Sequence, residues 1–229
     1  MITFNMPRLA LLALLALSAV LAGCATQPRA ATDYAAFLQA KPASLLVLPP
    51  LNDSTDIKAT PGVWAQATRP LAEAGYYVMP ITLVDETFKQ NGLTGASDIH
   101  EVSTQKLREF FGADAAVYLR VKQYGTSYAV ISSDTVVSVE ARIVDLRTGQ
   151  QLWEGTARAS SAEQQRQGQG GVVGLLVTAL VKQIIGTATD AGFNYAGIAN
   201  QRLLSVPVAH GVVYGPRSPN AGQVPAIER

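Results

Sequence analysis

Residues 115–122 read Ala115-Ala116-Val117-Tyr118-Leu119-Arg120-Val121-Lys122. Ala115, Val117, Leu119 and Val121 alternate with Ala116, Tyr118, Arg120 and Lys122, and a period of two marks a half-buried strand. Working forward, the same period returns twice. Val137, Val139, Ala141 and Ile143 alternate with Ser138, Glu140 and Arg142; Trp153, Ala157 and Ala159 then stand against Glu154, Thr156 and Arg158. Arg147-Thr148-Gly149-Gln150 joins the last two runs as a tight turn with a glycine available for positive φ, so they pair as a hairpin. Three successive strands of this kind predict a sheet with one face under helices and one polar face.

Working backward, Ser44-Leu45-Leu46-Val47-Leu48 is a compact apolar run closed by Pro49-Pro50, the pattern of a buried strand. Leu51 to Ala59 reads as a polar loop. Thr60 is placed as an N-cap with Pro61 at the first helical position, and the helix should run to Ala74 and stop at Gly75, with a kink or restart at Pro70. Tyr76-Tyr77-Val78-Met79-Pro80 is the next strand. Strand, helix and strand in so short a span form a βαβ unit with parallel strands and a right-handed crossover. A helix over Leu83–Lys89 ends at Asn91-Gly92, and Ser103 caps another that carries Leu107, Phe110 and Phe111 on one side before Gly112. Tyr34–Ala40 and Asn194–Leu204 complete the helices outside the apolar segment considered below. The expected fold is therefore α+β, a mixed, roughly five-stranded sheet packed with helices in a single domain over 34–204. Residues 205–229 carry four prolines and no periodicity, and read as a tail with a mobile end.

The amino terminus has a different character. Arg8 precedes an apolar run from Leu9 to Val20 broken only by Ser18, and Leu21-Ala22-Gly23-Cys24 follows. This is the layout of a secretory signal peptide over 1–23, too short and wrongly flanked to span a membrane. The Leu-Ala-Gly-Cys ending resembles the lipobox of bacterial lipoproteins. That resemblance implies cleavage before Cys24, a thioether-linked diacylglycerol on its sulfur and an acyl chain on the new amino terminus. Cys24 is the only cysteine, so no thiol is left for a disulfide. One buried acyl chain holds a protein only marginally, whereas several anchor it stably. Ala25, where an aspartate in such lipoproteins favours the inner membrane, implies the outer membrane. Residues 24–33 form the tether, which at about 3.3 Å per residue reaches no further than about 30 Å.

Composition narrows the function classes. Of 229 residues, 48% are hydrophobic and 15% charged, with a formal net charge of +1; removal of Arg8 leaves the remainder neutral. A neutral chain offers no electrostatic basis for nucleic-acid binding. The two histidines, His100 and His210, are far apart in the sequence and neither has a second ligand at helical spacing, which argues against a zinc site. Asp53 and Asp56 lack calcium-loop spacing and fit turn chemistry. Asp85-Glu86 suits the first turn of a helix. Ser132-Ser133-Asp134 has no nearby histidine, and there is no Gly-x-Ser-x-Gly elbow. Gly168-Gln169-Gly170-Gly171 precedes an apolar segment, but no strand leads into it and no Lys-Ser/Thr follows, so a phosphate cradle is not supported. The apolar positions from Val172 to Ile185 recur at helical spacing and read as a core helix; its uninterrupted run falls short of the roughly 20 residues a span requires. Insertion of this helix (172–191) into a membrane or a partner is the alternative.

Seven ordered segments together resemble one family: Leu45-Leu46-Val47-Leu48-Pro49-Pro50-Leu51-Asn52; Pro70-Leu71-Ala72-Glu73-Ala74-Gly75-Tyr76-Tyr77-Val78; Val84-Asp85-Glu86-Thr87-Phe88; Phe111-Gly112-Ala113-Asp114-Ala115; Tyr124-Gly125-Thr126-Ser127-Tyr128; Val144-Asp145-Leu146-Arg147-Thr148-Gly149; and Tyr214-Gly215-Pro216-Arg217-Ser218-Pro219. The family is one of bacterial lipoproteins of unknown function whose members include a neisserial outer-membrane vaccine-candidate antigen. It is similar in fold to the TolB amino-terminal domain and more loosely to CsgG, with Val139 to Trp153 the nearest stretch. No catalytic residues are established for that family, so only Cys24 carries over.

These readings imply a non-enzymatic lipoprotein on the outer membrane with its domain in the periplasm. It would act through protein contacts as a component or assembly factor of an envelope export or secretion complex. An accessory or ligand-binding subunit of an ABC-type transport system is the alternative. The expected partners are the membrane through the lipid, other envelope lipoproteins or exporter subunits, and a second copy of the chain. No cofactor or metal is expected beyond the covalent acyl groups on Cys24. The polar sheet face and the tyrosine-rich strand end supply the candidate contact residues Tyr118, Arg120, Lys122, Tyr124, Tyr128, Glu140, Arg142 and Arg158. Ordinary sheet packing is the competing account of the tyrosines.

Overall fold

The computed structural model describes residues 32–128, 133–163, 191–208 and 210–225, the side chains at 127, 128 and 133 excepted. The signal segment and Cys24, the glycine-rich loop, the apolar helix expected from Val172 to Ile185 and the chain end at 226–229 lie outside the described residues. Within them the order is α1 (Ala35–Ala40), β1 (Ser44–Val47), β2 (Leu51–Asn52), α2 (Ala59–Glu73), β3 (Tyr77–Val78), α3 (Ile81–Gln90), α4 (Ala96–His100), α5 (Thr104–Phe111), β4 (Ala115–Tyr128), β5 (Ser133–Asp145), β6 (Gln151–Ser160) and α6 (Ala191–Leu204). The sheet runs β3-β1-β4-β5-β6, with β2 also paired to β4. β3, β1, β2 and β4 are parallel neighbours, and β4, β5 and β6 form an antiparallel meander. The mixed α+β architecture is the one expected.

The sixth strand was hidden by prolines. Leu48 N–H still donates to Val117 O at 3.0 Å. Pro49 and Pro50 have no N–H to add to the ladder, and pairing resumes at Leu51 opposite Arg120. A segment that reads as loop is thus a continuation of β1 along the same neighbour.

β1 and β3 pair in parallel with α2 between them in the chain, as predicted, and Trp64 of α2 clamps the unit by donating Nε1–H to Val47 O at 2.9 Å. The start of α2 differs from the expectation. The helix begins at Ala59 after Lys58, without a side-chain cap, and the Thr60 hydroxyl donates instead to Pro50 O at 3.1 Å. α2 continues through Pro70 to Glu73 as one helix. Gly75, at φ +98, then turns the chain; a Cβ there would stand 2.5 Å from Ser218 N.

At α5, Ser103 caps as expected, its Oγ accepting from Lys106 N at 3.3 Å, and Gly112 closes the helix at φ +65. Leu107 is fully buried, but Phe110 is 61% exposed. Phe111, one turn on from Leu107, faces inward against Phe88, with ring centroids 5.1 Å apart, while Phe110, about 100° back round the helix from Phe111, faces solvent. The short helix α4 lies in a stretch that the sequence left unassigned.

One face of the sheet carries Leu45, Val47, Val117, Leu119, Val139, Ala141 and Ile143, all buried. Helices α2 and α6 pack on the sheet, and Leu203 of α6 meets the backbone at Gly155. The other face is not uniformly polar. Leu46 and Ala116 are fully buried on it, and Tyr118 is 6% exposed.

Among the described residues, the chain beyond Leu204 is bound to the core as far as Arg217. Val212 and Val213 are buried. Tyr34 Oη–H donates to Gly211 O at 2.8 Å and Tyr76 Oη–H to Val213 O at 2.6 Å. Gly215 N–H and Arg217 N–H donate to Ala74 O and Gly75 O. Apolar residues and backbone donors, rather than periodicity, secure this segment.

Candidate protein-contact surface

Strand register assembles the candidate side chains into rows. On the second face Tyr118 stands opposite Arg142, and Arg142 opposite Glu154; Arg120 stands opposite Glu140, and Glu140 opposite Thr156; Ser138 stands opposite Arg158. Arg120, Arg142, Glu154, Thr156 and Arg158 are exposed and Glu140 is half-buried. The result is a lattice of alternating charge on the β4–β6 half of the face. Opposite charges directly across strands are mutually favourable.

Part of this lattice is already committed internally. Asp53, just beyond β2, accepts from Arg120 Nη1 at 2.9 Å and from Lys122 Nζ at 2.7 Å. The Lys122 hydrogen bond and the charge of Arg120 hold the Asp53 carboxyl below its ordinary range despite some desolvation. The ion pairs fix one edge of the lattice, leaving Glu140 and Arg158 as its open part among the described residues, with Arg142 exposed but resting on the Tyr118 ring.

The structure corrects the tyrosine expectation. Tyr118 stays on the second face but is covered: His100 of α4 meets its ring edge-on with centroids 5.2 Å apart, and the Arg142 guanidinium lies 4.2 Å from its centre. Burial pushes the Tyr118 hydroxyl pKa up, with Arg142 opposing. Tyr124 changes face. The β4–β5 register steps from Val121↔Val139 to Gln123↔Ser138, skipping Lys122 as a bulge. One extra residue inverts the parity of everything after it. Tyr124 therefore pairs with Val137 on the helix-covered face, 8% exposed, its hydroxyl against the backbone at Gly62. The Tyr128 side chain and Cys24 lie outside the described residues.

His100 and His210 are engaged separately. His100 Nε2 is 2.9 Å from Pro49 O, and His210 Nδ1 is 2.9 Å from Thr32 Oγ1. Asp56 is a turn residue, as expected, its Oδ1 accepting from Lys58 N at 2.9 Å; Asp53 is not, since its N–H donates to Val121 O and its carboxylate is held by Arg120 and Lys122. Asp134 accepts from Ser161 Oγ at 2.7 Å, and Asp85 pairs with Lys89 along α3 at 2.6 Å. Among the described residues no group of three His, Cys, Asp or Glu is placed to hold a metal, and no helix is long and apolar enough to cross a membrane.

The profile of the family described as "Putative lipoprotein GNA1162-like" matches residues 32–217. The chain belongs to the GNA1162-like family. Its profile takes in the segment beyond Leu204 up to Arg217, the segment that the structure shows bound to the core. A family relative from Neisseria meningitidis serogroup B, named "Putative lipoprotein NMB1124/NMB1162", is 48% identical over 209 residues, 91% of this chain and 94% of that one. The crystal structure of lipoprotein GNA1162 from Neisseria meningitidis aligns with a TM-score of 0.50 at 48% identity, over 64% of this chain and 100% of that one. Sequence reading missed three groove residues of this GNA1162-like chain, Arg69, Tyr77 and Arg217, which line one groove beside β3. The only sequence signal for Arg217 was its place in one of the seven family segments.

Proposed function

We propose that this GNA1162-like chain is a non-enzymatic outer-membrane lipoprotein, anchored through acylated Cys24, whose domain works by protein contacts as a component or assembly factor of an envelope export complex. The observation that carries the contact reading is the mixed-charge lattice of Glu140, Arg142 and Arg158, whose charged groups are exposed or half-exposed on a sheet whose other face is covered by α2 and α6. Confinement beside the bilayer raises the effective concentration of membrane-bound partners, so modest contacts suffice.

The test has two arms. Crosslinking in intact envelopes followed by mass spectrometry reads the partners of the native chain and of a variant with Glu140 and Arg158 both replaced by Ala. Loss of specific envelope partners with an unchanged melting temperature supports the reading; an unchanged partner set overturns it. Cys24→Ser should abolish fatty-acid incorporation and release the protein from the membrane fraction. Firm retention of that variant contradicts the anchor.

A further inference from the structure

The sheet edge opposite β6 ends in a groove of about 670 Å³ lined by Arg69, Tyr77, Val78, Thr82 and Arg217 among others, with no acidic side chain among the described residues that line it. Strand β3 forms its floor. Tyr77 N–H donates to Ala43 O and Met79 N–H to Leu45 O, both at 3.0 Å and both toward β1. Alternation along a strand turns the N–H and C=O of the intervening Val78 the other way, into the groove. No neighbouring strand covers them among the described residues.

Two cations border this open backbone. Arg217 stands over the Tyr77 ring, 5.7 Å from its centre, and its own segment is fixed, because its N–H donates to Gly75 O at 3.1 Å and Ser218 N–H to Gly215 O at 3.0 Å. Arg69 donates Nε–H to Glu73 at 2.8 Å, with side chains 80% and 52% exposed. So exposed a pair is weak and can be exchanged for another carboxylate. Tyr77 is 47% exposed.

We propose that the β3 edge docks an extended acidic peptide segment of a partner protein, its backbone pairing with Val78 and its carboxylates meeting Arg69 and Arg217. Backbone pairing at a sheet edge supplies register and the flanking side chains supply selectivity. Pro80 closes the strand, which limits the site to one short segment and prevents open-ended sheet growth. The inference rests on the reading that the domain works by protein contacts, but uses a different surface from the β4–β6 lattice.

The test uses the purified full chain in detergent and fluorescently labelled octapeptides. The probes are a peptide alternating Glu with Val and Thr, its Lys counterpart, the acidic peptide N-methylated at its centre, and soluble dihexanoylphosphatidylglycerol as a competitor. The acidic peptide should bind and the Lys peptide should not. Arg217→Ala should weaken binding about tenfold, the loss expected for one charge-assisted contact. Adding Arg69→Ala should weaken it further, Lys106→Ala on α5 should leave it unchanged, and N-methylation should remove most of it. Absence of acidic-peptide binding, binding indifferent to both arginines, or equal binding of the N-methylated peptide overturns the proposal. So does Arg217-dependent binding of the phospholipid alone, which would mark a headgroup site. Because the lattice is intact in these variants, failure here is distinguishable from failure of the crosslinking test.

Discussion

Arg142 roofs Tyr118. The guanidinium carbon sits 4.2 Å above the ring centre, from the position directly opposite in the β4–β5 register. The cation is exposed and the ring is buried beneath it, so the two side chains contribute unequally. Arg142→Ala should cost about 1 kcal/mol, the scale of an exposed cation–π contact. Tyr118→Ala should cost about 3 kcal/mol, as for other buried aromatics. Urea denaturation of both variants checks the order, and a larger cost at Arg142 would contradict it.

His100 should make stability depend on pH. Burial depresses its imidazole below the ordinary value of 6.5, the Pro49 carbonyl opposing; Arg142 and Arg120 depress it further, and Glu101 acts the other way. A folded pKa below the unfolded one means that the unfolded chain takes the proton first. The contribution is complete above the unfolded value and is lost as pH falls through it toward the folded value. The melting temperature should drop between about pH 7.5 and about pH 5.5, where histidine titrates. The drop should be smaller in His100→Gln. Equal drops in the two proteins would exclude His100 as the source.

Gly62 is required by Tyr124. A Cβ at Gly62 would lie 2.7 Å from Tyr124 Oη and 3.3 Å from Cζ. Gly62→Ala should destabilise by about 1–3 kcal/mol through overpacking. Tyr124→Phe in the same chain should recover part of that loss, because the closest atom is then gone. A double-mutant cycle measures the coupling, and strict additivity would argue against the contact.

Asp145 organises the β5–β6 turn. Its buried carboxylate accepts from Arg147 N at 2.7 Å and Arg147 Nη2 at 2.8 Å, and the same Nη2 donates to Ala40 O at 3.0 Å. Burial pushes the Asp145 carboxyl up, but the Arg147 hydrogen bonds and charge outweigh it and leave it below its usual range. Asp145→Ala should cost about 2 kcal/mol by stranding these donors. Arg147→Ala should cost less, because the backbone N–H groups of residue 147 and of Thr148 still hydrogen-bond the Asp145 carboxylate. Thermal unfolding of the two variants gives the comparison.

The segment beyond Leu204 should prove essential to folding. Val212 is fully buried and Val213 3% exposed, and Tyr76 donates to Val213 O. Val212→Ala should cost about 2 kcal/mol, and deletion from Ser205 onward should abolish the cooperative thermal transition. A deletion variant that melts like the parent would refute this.

Much of the architecture was legible in the chain because its causes are local. Alternation at Ala115–Val121, the glycine of the Arg147–Gln150 turn, the Ser103 cap and the apolar Ser44–Leu48 run each act within a few residues. The same locality explains what was missed. The Pro49-Pro50 interruption hid β2, whose partner Arg120 is distant in sequence. The segment holding Val212 has no period of its own, and its burial depends on Tyr34, Tyr76 and Trp153 reaching it from other elements.

The candidate surface divides along the same line. Sequence alone determined that Arg120, Glu140, Arg142 and Arg158 belong to strands with a polar side, because period two is a property of each strand by itself. Only the tertiary structure decided which of these charges remain open, through Asp53 claiming Arg120 and Lys122. The same holds for the two tyrosines. The bulge at Lys122 exists only where β4 meets β5 and turns Tyr124 inward, and helix α4 and Arg142 arrive from elsewhere in the chain to cover Tyr118. A strand's alternation is written in its own residues; its register and its cover belong to its neighbours.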